Sequence, residues 1–222
     1  MTRPAQLVSE PVADHARLHP RRSRILRDGV AIAAIGAIAL VLGGLTSPAQ
    51  QFLPDALRSV ANSSSGWSIP VFLLVWLWRL RPVPAMIAGP VAFVLMVEGY
   101  RIASEWRGFE YGAPFSDSYT FIGLVVGPIL GLSASLLRYG RSPWRTLAIA
   151  PLAIILIGEG VYGLTVVADS TSPVYWSIVI ALGVGATVLH LWRERPPLRL
   201  VALTIAVILL GSAAFWVAYS SL

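Results

Sequence analysis

The chain contains no cysteine and no lysine. Without cysteine it has no disulfide, no thiolate metal site and no cysteine nucleophile. Its three histidines, His15, His19 and His190, leave little for a metal centre. Charge is scarce too: 13% of residues are charged, where a soluble domain carries about 25%. There is no His-Glu-x-x-His, no Gly-x-Ser-x-Gly and no phosphate loop, so the common short phrases of metalloprotease, esterase and phosphate-loop chemistry are missing. No Ser-His or paired-Asp arrangement is visible at depth in an apolar segment. The expectation is a chain that is not an enzyme and uses no metal and no cofactor.

What fills the 222 residues is hydrophobic, at 56%. Seven apolar segments are legible, at about 29–45, 67–80, 83–100, 119–137, 145–167, 174–192 and 198–218. Each approaches the ~20 residues that cross a hydrocarbon core of ~30 Å. A span must satisfy its own backbone, so all seven are read as helices. The fold class is therefore all-α, a polytopic membrane bundle of seven transmembrane helices in one domain, 28–222. Residues 1–27 are polar, Arg- and Pro-rich and without period, and are read as a disordered cytoplasmic tail.

All 17 basic residues are arginine, the GC-rich codon choice, which points to a bacterial genome and its inner membrane. With the N-terminus inside, the inner side holds every arginine except Arg58, Arg101 and Arg107. That asymmetry gives an N-in, C-out topology. It also explains the basic pI without nucleic acid, because the arginines stand in short turns beside apolar segments. The inner turns repeat. Trp76-Leu77-Trp78-Arg79-Leu80-Arg81-Pro82 aligns with His190-Leu191-Trp192-Arg193-Glu194-Arg195-Pro196, and Arg138 to Pro143 is a looser version. Segments 2–3, 4–5 and 6–7 thus read as three parallel hairpin repeats, with helix 1 extra. Between the first two segments, 46–66 reads as a short amphipathic interfacial helix. The loop 101–118 reads as an aromatic belt with solvated acids.

One phrase occurs twice inside apolar segments. Pro90 precedes Glu98-Gly99-Tyr100 by eight residues, and Pro151 precedes Glu159-Gly160 by eight, with Tyr162 beyond. An ionisable group at depth is costly and marks a functional site by default. Helix rise puts both glutamates about 21–22 Å from the inner turn, at one depth in the outer third. Carrying Glu98 forward by the hairpin register lands on Ser212. Glu98, Glu159, Tyr100, Tyr162, Arg101 and Ser212 are therefore the candidate site for a small cationic or protonatable ligand, or for protons. The other reading is a polar clamp in which Glu98 pairs with Arg101 and Glu159 with a tyrosine. Gly123, Gly127, Gly131 and Ser135 give the fourth segment a small packing face, and Gly160 with Gly163 a shorter one on the fifth.

Gly127-Pro128, the turn Arg138 to Arg141, and Gly158-Glu159-Gly160-Val161-Tyr162 carry a resemblance. From about Trp67 to Tyr219 the chain resembles an uncharacterised family of bacterial multi-spanning integral membrane proteins with no assigned activity. That resemblance implies a multi-spanning helical fold and no chemistry. In size, apolarity and a small-faced first helix (Ala33, Ala37) the chain is also similar to the substrate-capturing subunits of energy-coupling-factor importers, which generally have six helices. The functional expectation is a small transport-type protein or transporter membrane subunit, embedded in the lipid bilayer and able to dock another membrane subunit through helix 1. The alternative is a non-transporting scaffold whose glutamates are clamps.

Overall fold

The computed structural model describes residues 19–221. Residues 1–18, most of the expected tail, lie outside the described residues. Residues 19–27 do not belong to a tail, because helix α1 runs His19–Phe52. Once a helix is nucleated in the membrane, each further turn adds one hydrogen bond per residue fixed, so it propagates past the apolar stretch. The helix also continues seven residues beyond the expected stop, through Ser47 and Pro48. Its far end is held from outside: Arg107 donates to the Ser47 carbonyl and hydroxyl, and Ser104 to the Ser47 hydroxyl.

The interfacial helix expected at 46–66 is replaced by that extension, a single turn α2 (Asp55–Arg58) and a 3-10 turn (Ser59–Asn62). Next come α3 (Ser64–Leu77), α4 (Pro82–Trp106) and α5 (Ser118–Tyr139). The chain then makes the short α6 (Trp144–Leu147), α7 (Ala150–Thr165), α8 (Pro173–Glu194) and α9 (Leu198–Ser220). Six helices are long and apolar enough to cross a membrane, α6 and α7 counting as one. The second expected span is different. α3 has 14 residues, about 21 Å at ~1.5 Å per residue, and passes as a span only together with the 55–62 segment, from which it is bent by 63°. The bent pair is the seventh candidate, either a broken span or a re-entrant loop.

The arginine turns meet at one end. The Tyr139 hydroxyl donates to the Arg79 carbonyl (3.0 Å), and Arg145 pairs with Glu194 (2.7 Å). Nε2 of His190 lies 3.0 Å from the Arg145 carbonyl, and the Arg138 guanidinium stands 4.7 Å from the Trp76 ring centre.

Packing follows the small faces rather than the order of the chain. α1 lies along α4 and α4 along α5, while α8 and α9 both lie along α7. α3 sits between these two groups, touching α4, α5 and α7. Of the hairpins expected from the turn repeat, α3 touches α4 and α5 touches α7, while α9 follows α8 in sequence but rests on α7. Glycine explains the choice. A Cβ added at Gly131 would collide with the Ala85 carbonyl, and one at Gly127 with the Pro90 backbone, so α5 presses directly on α4. Small residues permit such backbone approach. Ile35, Ala39, Val71, Val75, Ala88, Leu130 and Leu156 fill the buried centre.

Gly131→Val should therefore force α4 and α5 apart, at about 1–3 kcal/mol or more for overpacking. Gly185, which has open space around it, provides the contrast: Gly185→Ala should be neutral or stabilise by up to about 1 kcal/mol. Thermal unfolding of the two purified variants in detergent checks both.

Candidate functional site

A helix beginning at Ser64 has N–H groups in its first turn without a partner in its own ladder. The Ser64 N–H donates to Oε1 of Glu159 (2.5 Å) and the Ser65 N–H to Oε2 (2.7 Å). The Gly66 N–H donates to the Ser63 hydroxyl (2.9 Å) and the Trp67 N–H to the Ser63 carbonyl (3.2 Å). The last of these is the first rung of the helix's own ladder, so Glu159 and the Ser63 hydroxyl take the N–H groups of Ser64, Ser65 and Gly66 that no helical carbonyl reaches. The Ser65 hydroxyl also donates to Glu159. Tyr175, on α8, extends the network: its hydroxyl lies 2.5 Å from the Ser63 hydroxyl and 2.9 Å from that of Ser65. Glu159 is only 1% exposed. The carboxylate from α7 stands where an anion binds at a helix N-terminus, and it belongs to the protein itself.

Glu98 is held differently. Its Oε2 accepts from Arg101 Nε (2.8 Å), and its Oε1 accepts from the Phe115 N–H (2.7 Å). It is 4% exposed. Arg101 also bonds Glu105 (2.7 Å). Phe115 has φ 61°, a left-handed backbone that is uncommon for a bulky residue. Glu98 therefore pins the 107–117 loop to α4 at its most constrained residue. Among the acids of that loop Glu110 is exposed, but Asp117 is not simply solvated. Asp117 caps α5 by accepting from the Tyr119 N–H and accepts from the Tyr111 hydroxyl (both 2.8 Å). Burial, and then the bond to Asp117, push the Tyr111 hydroxyl well above its ordinary value.

The two glutamates thus have separate partners, one clamping a loop and the other a helix start. The remaining candidates do not join them into a single site. Tyr100 donates to Gln50 Oε1 (2.9 Å), and its ring meets those of Trp67 and Tyr111 edge-on. The Tyr162 ring packs edge-on against Tyr219, 4.8 Å between centres. The Ser212 hydroxyl donates to the Ile154 carbonyl (3.4 Å), a contact between α9 and α7. Gly123, Gly127 and Gly131 face α4, whereas Gly160 and Gly163 face Ile180 and Trp176 of α8. Ala33 and Ala37 stand exposed on α1.

Sequence reasoning passed over Ser63, Ser64, Ser65 and Tyr175. The available signal was Ser-Ser-Ser-Gly immediately before an apolar run, the composition of a helix start. Gly158-x-Gly160-x-x-Gly163 also spells the glycine fingerprint of a dinucleotide turn. Here the three glycines lie inside α7, with no strand ahead of them among the described residues, so the spelling serves helix packing. Groups of histidine, cysteine and carboxylate residues able to hold a metal ion are absent among the described residues.

These features define a polytopic helical membrane protein with six or seven candidate spans and two carboxylates held by the protein's own donors. Residues 21–222 match DUF6518, a family of unknown function, and the chain belongs to that family. No curated protein and no solved structure matches it.

Glu159→Ala would orphan buried donors at about 1–3 kcal/mol each. Its unfolding temperature should fall well below that of Glu159→Gln, which keeps an acceptor oxygen. Hydrogen exchange localises the effect: the amides of Ser64 and Ser65 should exchange about tenfold faster for each 1.4 kcal/mol lost. In Glu98→Ala the accelerated amide should be that of Phe115.

Proposed function

We propose that this chain acts as a membrane-embedded scaffold or interaction protein, without enzymatic activity, and does not carry cations through Glu98 and Glu159. One observation carries this reading. The oxygens of both buried carboxylates are taken by the protein's own donors, Ser64 and Ser65 on one side and Arg101 and Phe115 on the other. A carboxylate satisfied in this way holds segments together and leaves little to offer a ligand. The arginine-rich end is cytoplasmic in this reading, which places a bacterial inner-membrane protein N-in and C-out. The exposed Ala33 and Ala37 support α1 as the side on which another membrane subunit docks.

The transport reading keeps one specific support. A cavity of about 630 Å³ lies over the α3 break at the end away from the arginine turns, lined by Asp55, Arg58, Asp169, Tyr162, Trp176 and Tyr219 among others. Its two acids against one arginine suit a cation, and a broken helix beneath such a mouth is a feature of secondary transporters.

Flux separates the two. The purified chain in proteoliposomes under an imposed proton or sodium gradient should show no flux above empty vesicles. A flux that appears with the wild type and is lost in folded Glu159→Gln would replace the scaffold reading with the transport one.

A further inference from the structure

A second cavity lies deeper in the bundle, bounded by α3, α4, α5, α7 and α9, with a volume of about 350 Å³. That is within the ~300–1,000 Å³ of ligand pockets. Trp67, Val126, Ile129, Ile154 and Phe215 are among its walls, and no charged side chain lines it. Its polar groups, the hydroxyls of Ser64, Ser68 and Tyr119, include the first residue of α3 and the second of α5. Ile122 and Ile129 are both lining residues and exposed on the outside of the bundle. The cavity is therefore a groove that opens sideways through α5.

We propose that this groove holds one acyl chain of a bilayer phospholipid. The surroundings of an exposed face on a membrane-spanning helix are hydrocarbon, and an uncharged apolar wall excludes ions, sugars and nucleotides by desolvation. Length then selects the occupant. From Tyr119 to Leu130, both lining residues, is eleven residues, about 16 Å along α5 at ~1.5 Å per residue. Half of a ~30 Å hydrocarbon core is about 15 Å, the depth of one leaflet. A volume of about 350 Å³, near the lower bound for ligand pockets, suits a single chain. The hydroxyls lie at the end where α5 begins and the membrane surface is nearest, so the chain enters there and its tail runs toward Leu130 and Pro151.

Trp67 is a reporter already in the wall. The full chain is reconstituted in phosphatidylcholine vesicles with brominated acyl chains, beside a Trp67→Phe variant whose subtraction isolates the Trp67 emission. Bromine should quench that component strongly. Val126→Phe, which narrows the groove, should reduce its quenching by about twofold or more, whereas Leu209→Phe, on the exposed face of α9, should not. If Val126→Phe does not fold, Ile154→Phe takes its place. Native mass spectrometry of the wild type should find one phospholipid retained per chain. A Trp67 component that bromine does not quench, groove variants indistinguishable from Leu209→Phe, or a retained free fatty acid in place of a phospholipid would each overturn the proposal.

Discussion

A helix that starts inside hydrocarbon has no water to satisfy its first N–H groups, and each group left bare costs several kcal/mol there. The first N–H groups of α3 are turned in against α7, with Ser65 fully buried, and much of the bundle is arranged around their satisfaction. Ser63 supplies two acceptors from the preceding residue, and Glu159 supplies two more from α7. Because the carboxylate must stand on the axis of α3, the depth and rotation of α7 are fixed relative to it. Tyr175 fixes α8 to the same point through Ser63 and Ser65. α9 then packs on α7. The network therefore ties one three-helix group to the half-helix, while the apolar side of α3 rests on α4 and α5 of the other.

The repeated Glu-Gly pair has a physical meaning that neither residue has alone. In both copies the glutamate reaches out to hold a segment that cannot satisfy itself, a helix start in one and a constrained loop in the other. In both, the next residue is a glycine against which another helix closes. A Cβ at Gly99 would meet the Leu40 carbonyl of α1, and one at Gly160 would meet Ile180 of α8. Successive residues on a helix point about 100° apart, so one position can turn a carboxylate inward while the next opens a contact on a different side. The phrase recurs because the same packing problem, a membrane helix that must clamp on one side and crowd on another, is solved twice.

The spans themselves were legible, since long apolar runs and arginine turns are written in consecutive residues. The glycine face of α5 was legible for the same reason. The partners of the glutamates were less so. Glu98 and Arg101 are a helical turn apart and could be read together, but Ser64 and Ser65 lie 95 and 94 residues from Glu159, a separation that periodicity cannot bridge. The third hairpin of the turn repeat did not foretell its packing, because a short turn implies adjacency while contact is decided by which faces are small enough to approach. α8 and α9 are joined by a short turn, yet each is drawn to α7, where Gly160 and Gly163 meet α8 and Gly158 meets Phe215 of α9. The bend in the second span was hidden for a related reason. Its composition is apolar, and only the Ser-Ser-Ser-Gly start marks where α3 begins.

The half-helix also accounts for the groove beside it. A full-length crossing between the two groups would fill the space from one surface to the other. α3, about 21 Å long by its 14 residues, leaves the remaining thickness to the bent 55–62 segment, which turns aside by 63°. By standing between α5 and α7 it also keeps those helices from closing on each other along the flank where Ile122, Ile129, Ile154 and Phe215 face a common space. An apolar space of that kind inside a bilayer is either a loss of dispersion contacts for every wall atom or a place for hydrocarbon. The arrangement that satisfies the backbone of α3 thus creates an apolar groove alongside it. The chemistry of the groove, lined by no charged side chain, matches the hydrocarbon in which a membrane bundle sits.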